Sequence, residues 1–251
     1  MSRKIAFVNE KGGSCKTTLS VNMAAFFASQ KGKKTLLVDM DPQGQAGKAL
    51  GIDVKSLPVT IMNMLTEPKV TAKDAIVHSR IEGLDLICAN KSLTDFAVTA
   101  AADDDRVYKL RDKLKSVKGY DFLVFDCPPS LGLLTLNIMM AAKEIMIPVS
   151  LTYFALDGCA EIIETVDTVK TNYNHSGIEV SRIIPTLYRR TRLANAILEK
   201  LRGHFGGMVT DTVIGMNVAI DEAQSFGQTI WEYSPKSRGA QMLEELALEI
   251  V

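Results

Sequence analysis

Six short, unbroken apolar runs, each set off from the next by segments of helical character, limit what this chain can fold into. They are IAFV at 5–8, TLLV at 35–38, LDLIC at 84–88, FLVF at 122–125, IMIPV at 145–149 and RIIPTL at 182–187. A strand open to water on one face alternates apolar and polar residues. A continuous run suits a strand covered on both faces, as in a parallel sheet. Segments 16–30, 91–117, 132–142, 156–174, 192–205 and 236–250 are expected to be helices. Strand alternating with helix predicts an α/β fold, a doubly wound, mostly parallel sheet with helices on both faces. Such sheets bind ligands beyond the carboxyl ends of their strands. Segment 42–83 holds Pro42, Pro58, Pro68 and several glycines, and is expected to form loops and short helices on one side of the sheet. With no repeat and no Pro/Ser linker, residues 1–251 read as a single domain.

The first run leads into NEKGGSCKTTLS at 9–20, which opens the first expected helix. Strand, glycine-rich loop and helix together form a phosphate-binding loop. Backbone N–H groups and the positive end of the helix converge there on phosphate oxygens. Gly12 and Gly13 let the backbone approach the ligand, with Ser14 and Cys15 completing the turn. Lys16 is expected to reach the β/γ-phosphates and the Thr17 hydroxyl to sit on Mg²⁺, with Thr18 on the α-phosphate. ATP and Mg²⁺ are therefore the expected ligands. Two features are unusual: a second lysine, Lys11, stands at the front of the loop, and Cys15 stands where such loops carry glycine.

Asp39 and Asp41 close the second run two residues apart, a spacing that points both the same way on an extended chain. Asp126 ends the fourth run and leads into Cys127-Pro128-Pro129-Ser130, a loop stiffened by its prolines. Cys127 reads as a small packing residue. The four cysteines, Cys15, Cys88, Cys127 and Cys159, show no C-x-x-C spacing and read as reduced thiols. The N-terminus lacks a signal-peptide layout and no apolar run approaches membrane-spanning length, so a cytoplasmic protein is expected. Charge is balanced, 29 basic against 29 acidic residues, so any contact with nucleic acid must come from a local patch.

The loop resembles K-G-G-x-x-K-T-[ST], the signature of the ParA/MinD family of deviant Walker A ATPases. LLVDMDPQGQA at 36–46 and YDFLVFDCPPSLGLLTLN at 120–137 resemble that family's second nucleotide motif and its Walker B and switch region. IPVSLTYFALDG at 147–158 and EAQSFGQTIWEYSPKSRGA at 222–240 are similar to its partition-type ParA branch. The resemblance implies that Lys11 reaches across a homodimer that sandwiches two ATP molecules, and that Asp41 positions the attacking water. It implies that Asp126 binds Mg²⁺ directly or through water, with Asp39 contributing to the metal shell through water. It also implies non-specific DNA binding by the ATP dimer, an association with the nucleoid, and a ParB-like or adaptor protein that stimulates slow hydrolysis. Adenine is expected to meet the segment after 182–187.

Three readings of Cys15 stay open: a tolerated side chain, lowered affinity or hydrolysis, and redox control through a thiol whose pKa the helix N-terminus lowers. The best DNA patch is YRRTR at 188–192, with Arg189, Arg190 and Arg192, continued by Lys200 and Arg202 and helped by Lys236 and Arg238. GMNVAIDEAQ at 215–224 departs from the family in carrying no basic residue. The C-terminal MLEELALEIV is acidic and expected to pack on the core through Met242, Leu243 and Leu246, which argues against a MinD-like membrane helix. The expected function is an ATPase switch that positions a chromosome, plasmid or protein assembly. The alternatives are a metabolic P-loop phosphotransferase, a membrane-associated positioning ATPase and a hydrolysis-poor ATP-binding scaffold.

Overall fold

The computed structural model describes residues 2–251. Seven strands form one sheet: β1 Arg3–Phe7, β2 Thr35–Asp39, β3 Ile76–His78, β4 Leu84–Ile87, β5 Phe122–Asp126, β6 Glu144–Ser150 and β7 Glu179–Thr186, in the order β3-β4-β2-β5-β1-β6-β7. All pairings are parallel except the edge pair β3–β4. The longer connections carry helices α1 Lys16–Ser29, α2 Gln45–Ala49, α3 Ile61–Thr66, α4 Phe96–Thr99, α5 Lys109–Leu114, α6 Leu133–Ala141 and α7 Ala155–Asn172. After β7 come α8 Arg192–Phe205, α9 Val218–Ser225, α10 Ile230–Tyr233 and α11 Arg238–Ile250.

The unbroken apolar runs have the expected cause. Along β1, Ile5 and Phe7 enter one core layer while Ala6 and Val8 enter the other, and all four are buried. Leu37 and Val124 join the first layer; Leu36, Val38, Leu123 and Phe125 join the second. Helix α1 is buried along most of its length and lies under α11, whose Met242, Leu243 and Leu246 belong to the same layer as Phe26 and Phe27.

Three expectations need correction. The segment 91–117 is not one helix. A 3₁₀ turn at Lys91–Asp95 runs into α4, and turns then separate it from α5. Asp103, Asp104 and Asp105 sit at the break. Such side chains compete with the helical backbone and favour turns. The bonds Arg106 N–H to Asp103 C=O (3.2 Å) and Tyr108 N–H to Asp105 C=O (2.8 Å) close those turns, and Lys109 pairs with Asp103 at 2.7 Å. Within 42–83, strand β3 appears beside the expected short helices; three residues are too few to print a period. Helices α9 and α10 fall in a stretch for which no helix was expected, and α11 starts at Arg238, capped by the Ser237 hydroxyl, rather than at 236.

Candidate nucleotide site

The register places the chemistry. Asp39 and Asp126 end adjacent strands as direct partners, and Phe7 at the end of β1 is the partner of Asp126 on the other side. The loop between β1 and α1 therefore begins beside two carboxylates. Asn9 pins its start: the Asn9 amide donates to the Pro148 carbonyl at 2.6 Å, and the Asn9 carbonyl oxygen accepts the Lys11 N–H at 2.8 Å. Gly13 and Cys15 both have φ near +69°, so the chain turns twice through the left-handed region before α1 begins. The result is a cavity of about 390 Å³ lined by residues 12–18 together with Asp41, Pro129, Leu187, Asp221 and Gln224. Gly12, Gly13, Ser14, Cys15, Lys16, Thr17 and Thr18 all lie on it.

Lys16 is only 6% exposed, and its Nζ donates to the Lys11 carbonyl at 3.1 Å. Burial pulls its pKa down, against the opposing pull of Cys127, Asp126 and Asp41. Thr17 donates its hydroxyl to Asp126 Oδ2 at 2.8 Å. The other oxygen, Asp126 Oδ1, is buried without a partner. Burial pushes the Asp126 carboxyl up to about 7, although the Thr17 hydrogen bond opposes the rise. A buried oxygen lacking a partner beside a hydroxyl is the hard donor set that Mg²⁺ takes, with phosphate oxygens completing the shell.

Asp39 does something the sequence did not suggest. It is fully buried, and both its oxygens accept backbone protons, from Asp41 at 3.0 Å and from Ala46 at 3.2 Å. Burial and the neighbouring Asp126 hold its carboxyl well above the usual range. With an N–H on each oxygen, Asp39 fixes the 41–46 turn. Asp41 lies at the edge of the cavity, 8% exposed, with Oδ1 accepting the Gln43 N–H at 2.9 Å.

Cys15 takes the backbone conformation of the glycine it replaces. Left-handed backbone at a residue with a Cβ costs about 1–2 kcal/mol. Its side chain packs against the apolar layer over α1. Burial raises the thiol pKa to about 11, which outweighs a hydrogen bond with Thr186. Of the three open readings of Cys15, this speaks against redox control through a thiol activated by the helix end, because desolvation dominates here. Cys127 is fully buried with its thiol pushed up, as suits a packing residue.

Lys11 lies apart from the cradle. Its Nζ is exposed and donates to Thr152 Oγ1 at 3.0 Å. It lines a neighbouring cavity of about 410 Å³ with Glu10, Phe154, Asp157 and Glu161. The contact that sequence reading missed is on the other flank. The Gln224 amide donates to Thr18 Oγ1 at 2.8 Å, so α9 closes over the start of α1. Only the similarity of 222–240 to the partition branch hinted at it. Leu187, immediately before the segment expected to meet adenine, has φ +53° and lines the same cavity.

The proposed DNA residues are all exposed, and among the described residues none of the five forms an ion pair with a carboxylate. Arg189, Arg190 and Arg192 cluster at the start of α8. Lys200 and Arg202 do not extend that cluster as one stripe: two positions on a helix differ by about 200° in direction. Arg202 is also tied to the Asp211 carbonyl at 3.1 Å. Arg238 pairs with Glu245 at 3.4 Å.

Comparison with known proteins agrees with this geometry. Residues 2–179 match the family described as an AAA domain. The chain is 36% identical to the chromosome partitioning protein ParA of Myxococcus xanthus, over all of this chain and 88% of that protein. It is 38% identical to the chromosome-partitioning ATPase Soj of Treponema pallidum, over all of this chain and 98% of that one. Its fold superimposes, with a TM-score of 0.85, on a structure described as cobyrinic acid a,c-diamide synthase from Mycobacterium smegmatis with bound ATP analogue and magnesium. That match has 29% identity and covers 100% of this chain and 94% of the other. The seven-stranded sheet, the two-lysine phosphate loop and full-length similarity to these partitioning proteins show that the chain belongs to the ParA/MinD family of P-loop ATPases.

Proposed function

We propose that the protein is an ATP-dependent dimerising switch that positions a cellular cargo and holds DNA without sequence preference in its ATP state. The observation that carries this reading is the place of Lys11. Its ammonium lies outside the cradle that Lys16 serves, exposed beside Thr152. A cation so placed suits the phosphates of a second copy brought up face to face. A triphosphate enclosed between two protomers needs such added charge to offset its desolvation. Tyr153 and Phe154, 79% and 65% exposed and packed edge to face, supply apolar area next to Thr152 for that contact.

In this reading the loop N–H groups and Lys16 bind the phosphates, and Thr17 and Asp126 hold Mg²⁺. Mg²⁺ held by these two residues would neutralise phosphate charge. Asp41 orients the attacking water, and Asp39 keeps the Asp41 turn in place. Loss of one phosphate removes the differential contact between the two states, as a switch requires.

The names of the relatives support a chromosome, plasmid or protein assembly as cargo. In this reading Arg189, Arg190 and Arg192 supply the phosphate contacts to DNA, and a cytoplasmic protein associated with the nucleoid follows from it. Among the described residues no helix is long and apolar enough to cross a membrane. A ParB-like or adaptor protein would stimulate hydrolysis through a basic segment. Glu10, Asp157 and Glu161 beside Lys11 provide complementary charge, and burial together with Glu161 already pushes the Glu10 carboxyl up.

The biosynthetic name of the structural neighbour favours a metabolic P-loop enzyme as the second reading. Turnover of γ-labelled ATP separates the two. The switch releases label as inorganic phosphate, slowly alone and faster with DNA and adaptor together. Fast transfer of label to a small molecule, without either, would replace the switch by the metabolic enzyme.

A further inference from the structure

At the end of the sheet opposite the nucleotide site lies a third cavity, of about 530 Å³. It opens between the amino ends of β1 and β5 and the turn that follows α5. Strands rise about 3.3 Å per residue, so Lys4 at its wall is roughly 15 Å from the phosphate loop. The cavity is thus separate from the site at the carboxyl ends.

Its lining has two parts. The floor is apolar: Leu114 and Leu123 are buried and Val117 packs on the same core layer. The wall is basic: Lys4, Lys115, Lys118 and Lys143 all line it, against a single carboxylate, Asp121. Lys4 faces the floor because it is the register partner of Leu123, and the Lys143 N–H bonds to the Lys4 carbonyl at 3.0 Å.

The local charge is not balanced from within. Lys115 pairs with Asp112 at 2.9 Å, but among the described residues Lys4, Lys118 and Lys143 have no ion-pair partner. The nearby Glu144 is held by Arg3 in a two-pronged pair at 2.7 Å. Asp121 Oδ2 accepts the Lys34 N–H at 3.0 Å. Burial, then the charges of Lys143 and Lys118, hold the Lys4 ammonium below its usual range. Like charges gathered at a concave surface are unfavourable until an anion joins them.

We propose that this cavity binds a small organic phosphate of nucleotide size, its phosphates on Lys4, Lys118 and Lys143 and its body on the floor of Leu114, Val117 and Leu123. The volume lies within the range of small-molecule sites, and a concave site with an apolar floor suits a compact ligand better than the convex backbone of a duplex. Lysines give point charges rather than a planar fork, so they neutralise a phosphate without fixing its orientation.

The test uses the full chain saturated with Mg-ADP, so that the nucleotide site is filled. Guanosine 5′-diphosphate and inorganic pyrophosphate are titrated separately while backbone amide NMR signals are followed. The proposal expects saturating shifts at residues 4, 118–121 and 143, with a guanosine diphosphate Kd below about 1 mM and pyrophosphate at least roughly tenfold weaker. Lys118→Gln with Lys143→Gln should weaken guanosine diphosphate binding by about tenfold or more and leave ADP affinity unchanged. No saturation at these amides, or an unchanged response in the double variant, overturns the site. Equal affinity for pyrophosphate overturns the role of the apolar floor. Shifts at the same amides from a DNA duplex or from phosphatidylglycerol vesicles, but not from guanosine diphosphate, overturn the small-molecule assignment.

Discussion

The Thr17 hydroxyl donates to one oxygen of Asp126 at 2.8 Å and leaves the other oxygen buried with no partner. These two residues come from the start of α1 and the end of β5, and they meet at the candidate metal position. The unfolded carboxyl titrates near 4, whereas burial raises the folded value to about 7. The folded chain holds the proton more tightly, so this group subtracts stability as pH rises from about 4 to about 7. Asp126→Asn removes the penalty. Without ligand, the variant should melt above wild type at pH 8, by roughly 2–4 °C per kcal/mol recovered, and the two should converge only below about pH 4. The same variant should lose Mg²⁺-dependent ATP binding. Parallel melting curves across this range would contradict the assignment.

Cys15 offers a test of backbone strain. Cys15→Gly relieves a left-handed residue and should stabilise the protein by about 1 kcal/mol, part of the gain being lost to the entropy of glycine. Cys15→Ala keeps the strain and loses thiol packing, so it should be less stable than wild type. Thermal melts decide this, and equal stability of the two variants would contradict it. With its pKa near 11, the wild-type thiol should react with iodoacetamide at neutral pH roughly 100-fold more slowly than an unperturbed thiol.

Much of this was legible beforehand, for identifiable reasons. Strands such as IAFV and FLVF announce themselves because both faces are covered, and Lys16 and Thr17 are legible because strand, glycine turn and helix are contiguous. The break at Asp103–Asp105 was harder, since the apolar spacing on either side still suits a helix. The bond between Gln224 and Thr18 joins residues 206 apart, and no local pattern announces it. The raised pKa of Cys15 depends on how deeply the fold buries it, which the sequence, showing only the helix end, does not display.

The arginine cluster at the start of α8 should behave as a phosphate-binding patch. Arg189→Glu with Arg190→Glu should abolish DNA retention while leaving ATP affinity within about twofold. Arg190→Ala alone should lower the slope of log affinity against log salt by about 1 per protomer. Gel-shift or anisotropy titrations across a salt series give both numbers. An unchanged slope would move the DNA surface elsewhere.

The central claim is that Lys11 completes the phosphate site of a second copy, and sedimentation velocity tests it most directly. Asp41→Ala, saturated with Mg-ATP, should sediment as a dimer. Adding Lys11→Ala in the same background should return it to a monomer that still binds ATP. A dimer that survives the loss of Lys11, or an Asp41→Ala protein that stays monomeric with ATP and DNA present, would contradict the account.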